Sequence, residues 1–184
     1  MDRSGALDVR CCSIIEGEDR GRGECCLKIG ELMNKDMVVL REDDTIERAI
    51  ELILRHCRTG VPVLSADNRV CGFVSEEDII KKCLPGYITT LKNAAFLPDY
   101  GQFAKRFAAI RYKKVTEIMQ EKVVCFNKDD SDFAVAAEMI RRHFKVCPVI
   151  DENGIFVGCV SRAYLIRSMI LEKNREEKAV LKYE

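Results

Sequence analysis

The sequence predicts an α/β protein made of two β-α-β-β-α repeats with a helical insert between them, and two observations carry that prediction. The first is duplication: residues 29–80 realign on residues 115–166 at a constant offset of 86 without a gap, and twelve of the 52 aligned positions are identical. Chance matching at average residue usage gives on the order of three. The matches include Glu31 with Glu117, Met33 with Met119, Asp43-Asp44 with Asp129-Asp130, Pro62-Val63 with Pro148-Val149, Gly72 with Gly158, and Val74-Ser75 with Val160-Ser161. The second is the order of periodicities, which passes in both copies from a short β-rich run to a helical stripe, then to two apolar runs and a second helix. A period of this length is too long for a solenoid unit and points to two small domains or half-domains.

Taken in order, residues 1–27 read as a flexible leader and 28–83 as the first repeat. The insert is 84–114, the second repeat 115–170, and 171–184 a charged helical tail. The first repeat opens at Ile29 to Met33 and continues through the β-rich Val38-Val39-Leu40. Asp43-Asp44-Thr45 is a helix-start signal. Ile46, Ala49, Ile50, Ile53 and Leu54 then follow at helical spacing. Val61 to Leu64 and Val70 to Val74 are strand candidates around the polar turn Ser65 to Arg69, and a helix begins after Ser75. The second repeat repeats this order with Val123 to Phe126, the start signal Asp130-Ser131, and a stripe at Phe133, Ala136, Ala137, Ile140 and Phe144. Its strands are Cys147 to Ile150 and Phe156 to Val160, joined through Asn153-Gly154, a strong tight-turn signal.

Pro85-Gly86 and Pro98 break the insert into pieces. Tyr87 to Phe96 reads as one short helix. Asp99 with Gln102 resembles a capping box, and Phe103, Phe107 and Ile110 give the next helix an apolar face suited to core or dimer contact.

Composition narrows the class. The 184 residues are 47% hydrophobic and 33% charged, ordinary for a soluble globular chain. Thirty basic residues balance thirty acidic ones, which removes the broad attraction expected of a nucleic-acid binder. No apolar run approaches the roughly 20 residues of a membrane span, and Asp2, Asp8, Glu16 and Glu18 interrupt any signal-peptide core. A cytoplasmic protein is expected. The ten cysteines are then reduced thiols. Cys71, Cys125, Cys147 and Cys159 sit in apolar runs as small hydrophobes. The vicinal pairs Cys11-Cys12 and Cys25-Cys26 lack the C-x2-C spacing of a zinc site, and a passive leader is expected there over a metal or redox centre.

Convergent catalytic groups are few. His56 and His143 each stand alone on a predicted helix, and there is no P-loop, no G-x-G-x-x-G and no G-x-S-x-G. Gly72-Phe73-Val74-Ser75-Glu76-Glu77-Asp78 stands out, a strand ending in a small hydroxyl residue with a carboxylate three positions on. Ser-x-x-Asp is close to a capping box. The same residues have a second use: a helix N-terminus attracts phosphate, Ser75 can bond a phosphate oxygen, and Asp78 can accept both hydroxyl protons of a ribose cis-diol.

The β-α-β-β-α order, the Val-Pro-Val and Cys-Pro-Val strands, the Gly-x-Val-Ser ends and the duplication together resemble a tandem pair of cystathionine-β-synthase-type domains, usually called CBS domains. The resemblance covers roughly residues 28–170 apart from the insert. It implies a pseudo-twofold pair with two clefts between the repeats, which in this family commonly hold AMP, ADP, ATP or S-adenosylmethionine. By that pattern the Ser/Thr and Asp of one repeat hold phosphate and ribose, while adenine lies against the other repeat's first helix start and the segment before its Pro-Val strand. Carried over, one cleft uses Ser75 and Asp78 with Asp130, Phe144 and Lys145. The second uses Asp44, Arg58 and Thr59 with Ser161 and Arg162, but the position of Asp78 is taken there by Tyr164, which cannot make the carboxylate-to-diol contact.

These readings give a non-enzymatic adenosyl-ligand sensor with no cofactor and no metal, acting as a homodimer on a separate regulated protein. The alternative is a structural homodimerisation module with degenerate clefts, favoured by Tyr164 and the apolar-faced insert. A cysteine-based metal or redox protein ranks last.

Overall fold

The computed structural model describes residues 27–86, 101–167 and 169–170. The leader (Leu27 apart), the Tyr87 to Phe96 helix, Asp99 and the charged tail lie outside the described residues. The described residues divide into two compact units, one containing 38–86 and 101–123 and the other 27–37 with 124–167 and 169–170.

In the first unit, β1 (Leu40–Arg41) pairs in parallel with β2 (Gly60–Leu64), which pairs antiparallel with β3 (Val70–Ser75), giving the order β1-β2-β3. Its helices are α2 (Ile46–Arg55), α3 (Glu76–Cys83) and α4 (Gln102–Ile110). The second unit contains α1 (Ile29–Leu32), β4 (Phe126–Asn127), α5 (Asp132–Arg141), β5 (Val146–Ile150), β6 (Phe156–Ser161) and α6 (162–167), with the equivalent order β4-β5-β6. The predicted β-α-β-β-α order is present in each repeat.

The compact units do not coincide with the sequence repeats, because each repeat's leading segment completes the other's sheet. Beyond a 3-10 turn at Val115–Glu117, Gln120 bridges β3: Phe73 and Gln120 exchange backbone hydrogen bonds at 3.0 and 2.9 Å. Asn34 and Cys159 do the same on β6 at 2.8 and 3.0 Å. This explains two of the identities between the repeats. A Cβ on Gly72 would sit 2.3 Å from the Met119 sulfur, and one on Gly158 would sit 3.2 Å from the Met33 sulfur and 2.6 Å from the Asn34 carbonyl oxygen. Glycine is kept where the exchanged segment crosses the strand.

The helix starts follow the sequence signals. Thr45 accepts from the Arg48 N–H and Ser131 from the Ala134 N–H, each as an N-cap. Both helices also end alike. Cys57 and His143 adopt left-handed φ values of 49° and 59°. Backbone bonds run from Arg58 N to Ile53 O and from Phe144 N to Met139 O, the Schellman pattern. In the tight turns the left-handed position is Asn68 in one repeat and Gly154 in the other, so the Asn153-Gly154 signal is realised.

Two expectations change, on α2 and α5. At α4 the N-cap is Gly101 at φ 71°, with no side-chain cap among the described residues, and Gln102 is the first helical residue. Glycine takes that left-handed position without strain. On α2 the buried face is Ile46, Ala49, Leu52 and Ile53, while Leu54 is 71% exposed. On α5 the buried residues are Val135 and Met139; Phe133 and Ile140 are 80% and 60% exposed and Ala137 is also outside. Apolar residues occupy nearly every face of α5, so the sequence marks no single buried stripe there. The insert stripe packs as foreseen at one end: Ile110 and Phe107 join the first unit's core, and Phe103 is 42% exposed. Cys125, Cys147 and Cys159 are buried as small hydrophobes.

Candidate functional site

The strongest sequence candidate, Ser75 with Asp78, forms where β3 runs into α3. Asp78 Oδ2 accepts from the Ser75 backbone N–H at 2.9 Å and from the Ser75 hydroxyl, while Ser75 Oγ accepts from the Asp78 N–H at 3.3 Å. This is a complete capping box. The first N–H of α3, on Glu76, is bonded to the Thr59 carbonyl at 3.1 Å. Glu76, Glu77 and Asp78 put three carboxylates in the first turn, which opposes an anion at this helix end. The arrangement therefore presents a fixed carboxylate more readily than a phosphate cradle.

Asp78 also has a partner that sequence reasoning missed. Gln120 Nε2 donates to both carboxylate oxygens, at 3.0 Å to Oδ1 and 3.2 Å to Oδ2. Gln120 aligns with Asn34 in the duplication, and nothing in its spacing tied it to a carboxylate 42 positions away. It reaches Asp78 because its backbone bridges Phe73 on β3. A cavity of about 280 Å³ beside it is lined by Asp78, Lys81, Lys82, Glu117 and Ile118. The second unit has a counterpart of about 210 Å³ whose lining includes the aligned residues Glu31, Leu32, Tyr164 and Arg167.

Asp130 and Asp44 play matched local roles. Asp130 Oδ2 accepts from the Asn127 N–H at 2.8 Å, and Asp44 Oδ2 from the Arg41 N–H at 2.7 Å, each bracing the turn before its helix. Phe144 is half-buried against the second unit's core and Lys145 is exposed. Arg58 is half-buried, with its Nε lacking a hydrogen-bond partner among the described residues.

Arg162 is not a freely solvated cation. Its guanidinium donates to the Phe144 carbonyl at 2.7 Å and the Met139 carbonyl at 3.3 Å, and its N–H to the Lys145 carbonyl at 3.3 Å. It thus stabilises the carbonyl end of α5. Ser161 ends β6, and Tyr164 stands half-buried where the first repeat has Asp78.

By unit, Ser75 and Asp78 belong to the first and Asp130, Phe144 and Lys145 to the second. Of the other set, Asp44, Arg58 and Thr59 belong to the first and Ser161 and Arg162 to the second. Among the described residues, no group of three His, Cys, Asp or Glu side chains is placed to hold a metal ion. No helix among them is long and apolar enough to cross a membrane.

Two three-stranded sheets of identical order, each followed by a helix that starts after a serine, define a duplicated α/β module. Residues 29–84 and 115–171 match the CBS domain, and the chain belongs to that family as a tandem pair. Protein MJ1426 of Methanocaldococcus jannaschii is 30% identical over 166 residues, covering 80% of this chain and 94% of its own. Homoserine O-acetyltransferase of Methanococcus vannielii is 23% identical over 133 residues, covering 72% of this chain and 23% of the enzyme. Among solved structures, CBSX2 of Arabidopsis thaliana in complex with AMP aligns at a TM-score of 0.61 and 20% identity, covering 79% of this chain and 98% of that one.

Proposed function

We propose that this chain is a non-enzymatic regulatory module that binds an adenosyl ligand, AMP, ADP, ATP or S-adenosylmethionine, using Ser75 and Asp78 together with Asp130, Phe144 and Lys145. The observation that carries the reading is the Asp78 carboxylate, fixed at the start of α3 within a tandem CBS pair. Oriented by its capping-box bonds, it is the acceptor a ribose diol needs. The AMP complex of CBSX2, a protein of the same fold, supports the ligand class. The acetyltransferase activity of the enzyme relatives is not carried over, since the match spans 23% of that enzyme.

In this reading Lys145 meets the phosphates. The protein works in the cytoplasm as a homodimer, and the ligand alters binding to a separate target by favouring one arrangement of the repeats over another. The test is a melting panel with AMP, ADP, ATP, NAD and S-adenosylmethionine on the reduced protein beside Asp78→Ala. A ligand at a hundred times its Kd adds about 2.7 kcal/mol, equivalent to about 5–10 °C for a chain of this size. A ligand-specific rise that disappears in Asp78→Ala supports the site; no rise at millimolar concentration with any ligand refutes it.

A second reading, a homodimerisation module with degenerate clefts, is favoured by Tyr164 in place of the carboxylate and by the exposed Phe133 and Ile140 on α5. It predicts a stable dimer, seen by sedimentation, that no nucleotide alters.

A further inference from the structure

We infer that Gln120 is an internal competitor for the sugar hydroxyls at Asp78, and so sets the affinity of the site for ribose-bearing ligands. The inference rests on the adenosyl reading above and concerns a residue outside that set. Asp78 Oδ2 already accepts from the Ser75 N–H and the Ser75 hydroxyl. A carboxylate oxygen has two lone pairs, so the principal acceptor capacity left to Asp78 is on Oδ1. Gln120 Nε2 takes part of it at 3.0 Å while bridging to Oδ2 at 3.2 Å. One amide nitrogen spanning both oxygens covers the edge of the carboxylate that two vicinal hydroxyls would take. A ligand diol, which needs two acceptor positions, makes both of its bonds to Asp78 only after that amide leaves.

The contact is separable from the fold. Gln120 joins β3 through its backbone, whose N–H and carbonyl pair with Phe73 at 2.9 and 3.0 Å, and its side chain is exposed. Gln120→Ala therefore removes the competitor and keeps the strand contact. A merely orienting Gln120 would have the opposite sign: its loss would loosen Asp78 and weaken binding. An exposed side-chain hydrogen bond has a modest net strength, so the expected gain on removing it is about threefold in affinity.

The experiment is calorimetric titration of the full chain, wild type and Gln120→Ala, with AMP, ATP, S-adenosylmethionine and 2′-deoxy-AMP, with urea unfolding as the folding control. The expected result is about threefold lower Kd in Gln120→Ala for whichever ribonucleoside ligands bind, with less gain for 2′-deoxy-AMP, which has no diol. Equal or weaker binding in Gln120→Ala, or the same gain for 2′-deoxy-AMP, overturns the inference while leaving the adenosyl reading intact. Absence of binding by every ligand to both proteins overturns the adenosyl reading and this inference with it. Retention of urea stability in Gln120→Ala shows that any change in Kd comes from the site; a loss of stability is met by Gln120→Ser, which is held to the same affinity outcomes.

Discussion

Replacing Gly158 by Ala should destabilise the protein by about 2–3 kcal/mol, whereas the same change at Gly72, its counterpart in the duplication, should cost about 1 kcal/mol. The difference lies in what each new methyl would meet. At Gly158 the obstacle is backbone: the added carbon would lie 2.6 Å from the Asn34 carbonyl oxygen. That carbonyl accepts the Cys159 N–H at 3.0 Å while Asn34 N–H donates to the Cys159 carbonyl at 2.8 Å, so backing away weakens both bonds. At Gly72 the obstacle is the half-buried Met119 side chain, with sulfur at 2.3 Å and Cγ at 2.9 Å. An unbranched thioether can turn aside at small cost. Urea unfolding and thermal melting would read the two changes. For a chain of this size about 1 kcal/mol shifts Tm by 2–4 °C, so Gly158→Ala should fall by about 5–10 °C and Gly72→Ala by about 3 °C. A double-mutant cycle sharpens the test: Gly72→Ala should couple to Met119→Ala by about 1 kcal/mol, and Gly158→Ala should couple only weakly to Met33→Ala. Equal losses at the two glycines, or equal coupling at the two methionines, would refute the reasoning.

Three further outcomes are expected. On α5, Arg141 and Arg142 hold the Glu138 carboxyl at about 2 against an ordinary 4.5. Since the folded value is the lower one, the stabilisation is fully present above about pH 4.5 and is lost as pH falls toward 2. Glu138→Gln should therefore cost about 0.5–1 kcal/mol at pH 7, an amount limited by the 64% exposure of Arg141, with the difference shrinking between pH 4 and pH 2 in urea titrations. Arg162→Ala should cost about 1 kcal/mol by freeing the carbonyls at the end of α5, with Arg162→Lys recovering only part of it because an ammonium cannot span both acceptors; unchanged stability in Arg162→Ala would remove that role. In native alkylation followed by site-resolved mass spectrometry, exposed Cys57 should react ahead of Cys71, whose thiol is pushed up to about 11 chiefly by burial, and Cys147 should react only on unfolding. Early labelling of Cys147 would show that the second unit opens locally.

The elements of each repeat could be read from the chain because duplication supplies every signal twice. Asp44-Thr45 and Asp130-Ser131 mark the two helix starts, and the Pro-Val strands and serine-ended strands recur in register. The face of α5 could not be read that way. Phe133, Ala134, Val135, Ala136, Ala137, Met139 and Ile140 leave no single apolar stripe, and the choice of Val135 and Met139 depends on the sheet beneath. The capping-box reading of Ser75 and Asp78 came directly from their spacing, which is a local property. Gln120 on Asp78 and Arg162 on the end of α5 depend on chain segments brought together from 42 and 18 positions away, and no periodicity encodes such meetings.

The exchange of leading segments makes the two halves of this sequence reciprocal parts. Cutting the chain between residues 86 and 101 would leave one fragment holding 27–37, the piece that closes β6, and the other holding 115–121, the piece that closes β3. Each fragment would carry the seal for its counterpart and expose a strand edge of its own. Mixed together they should complement each other. Kept apart, each half could satisfy its open edge by trading leading segments with an identical copy, a domain-swapped pairing.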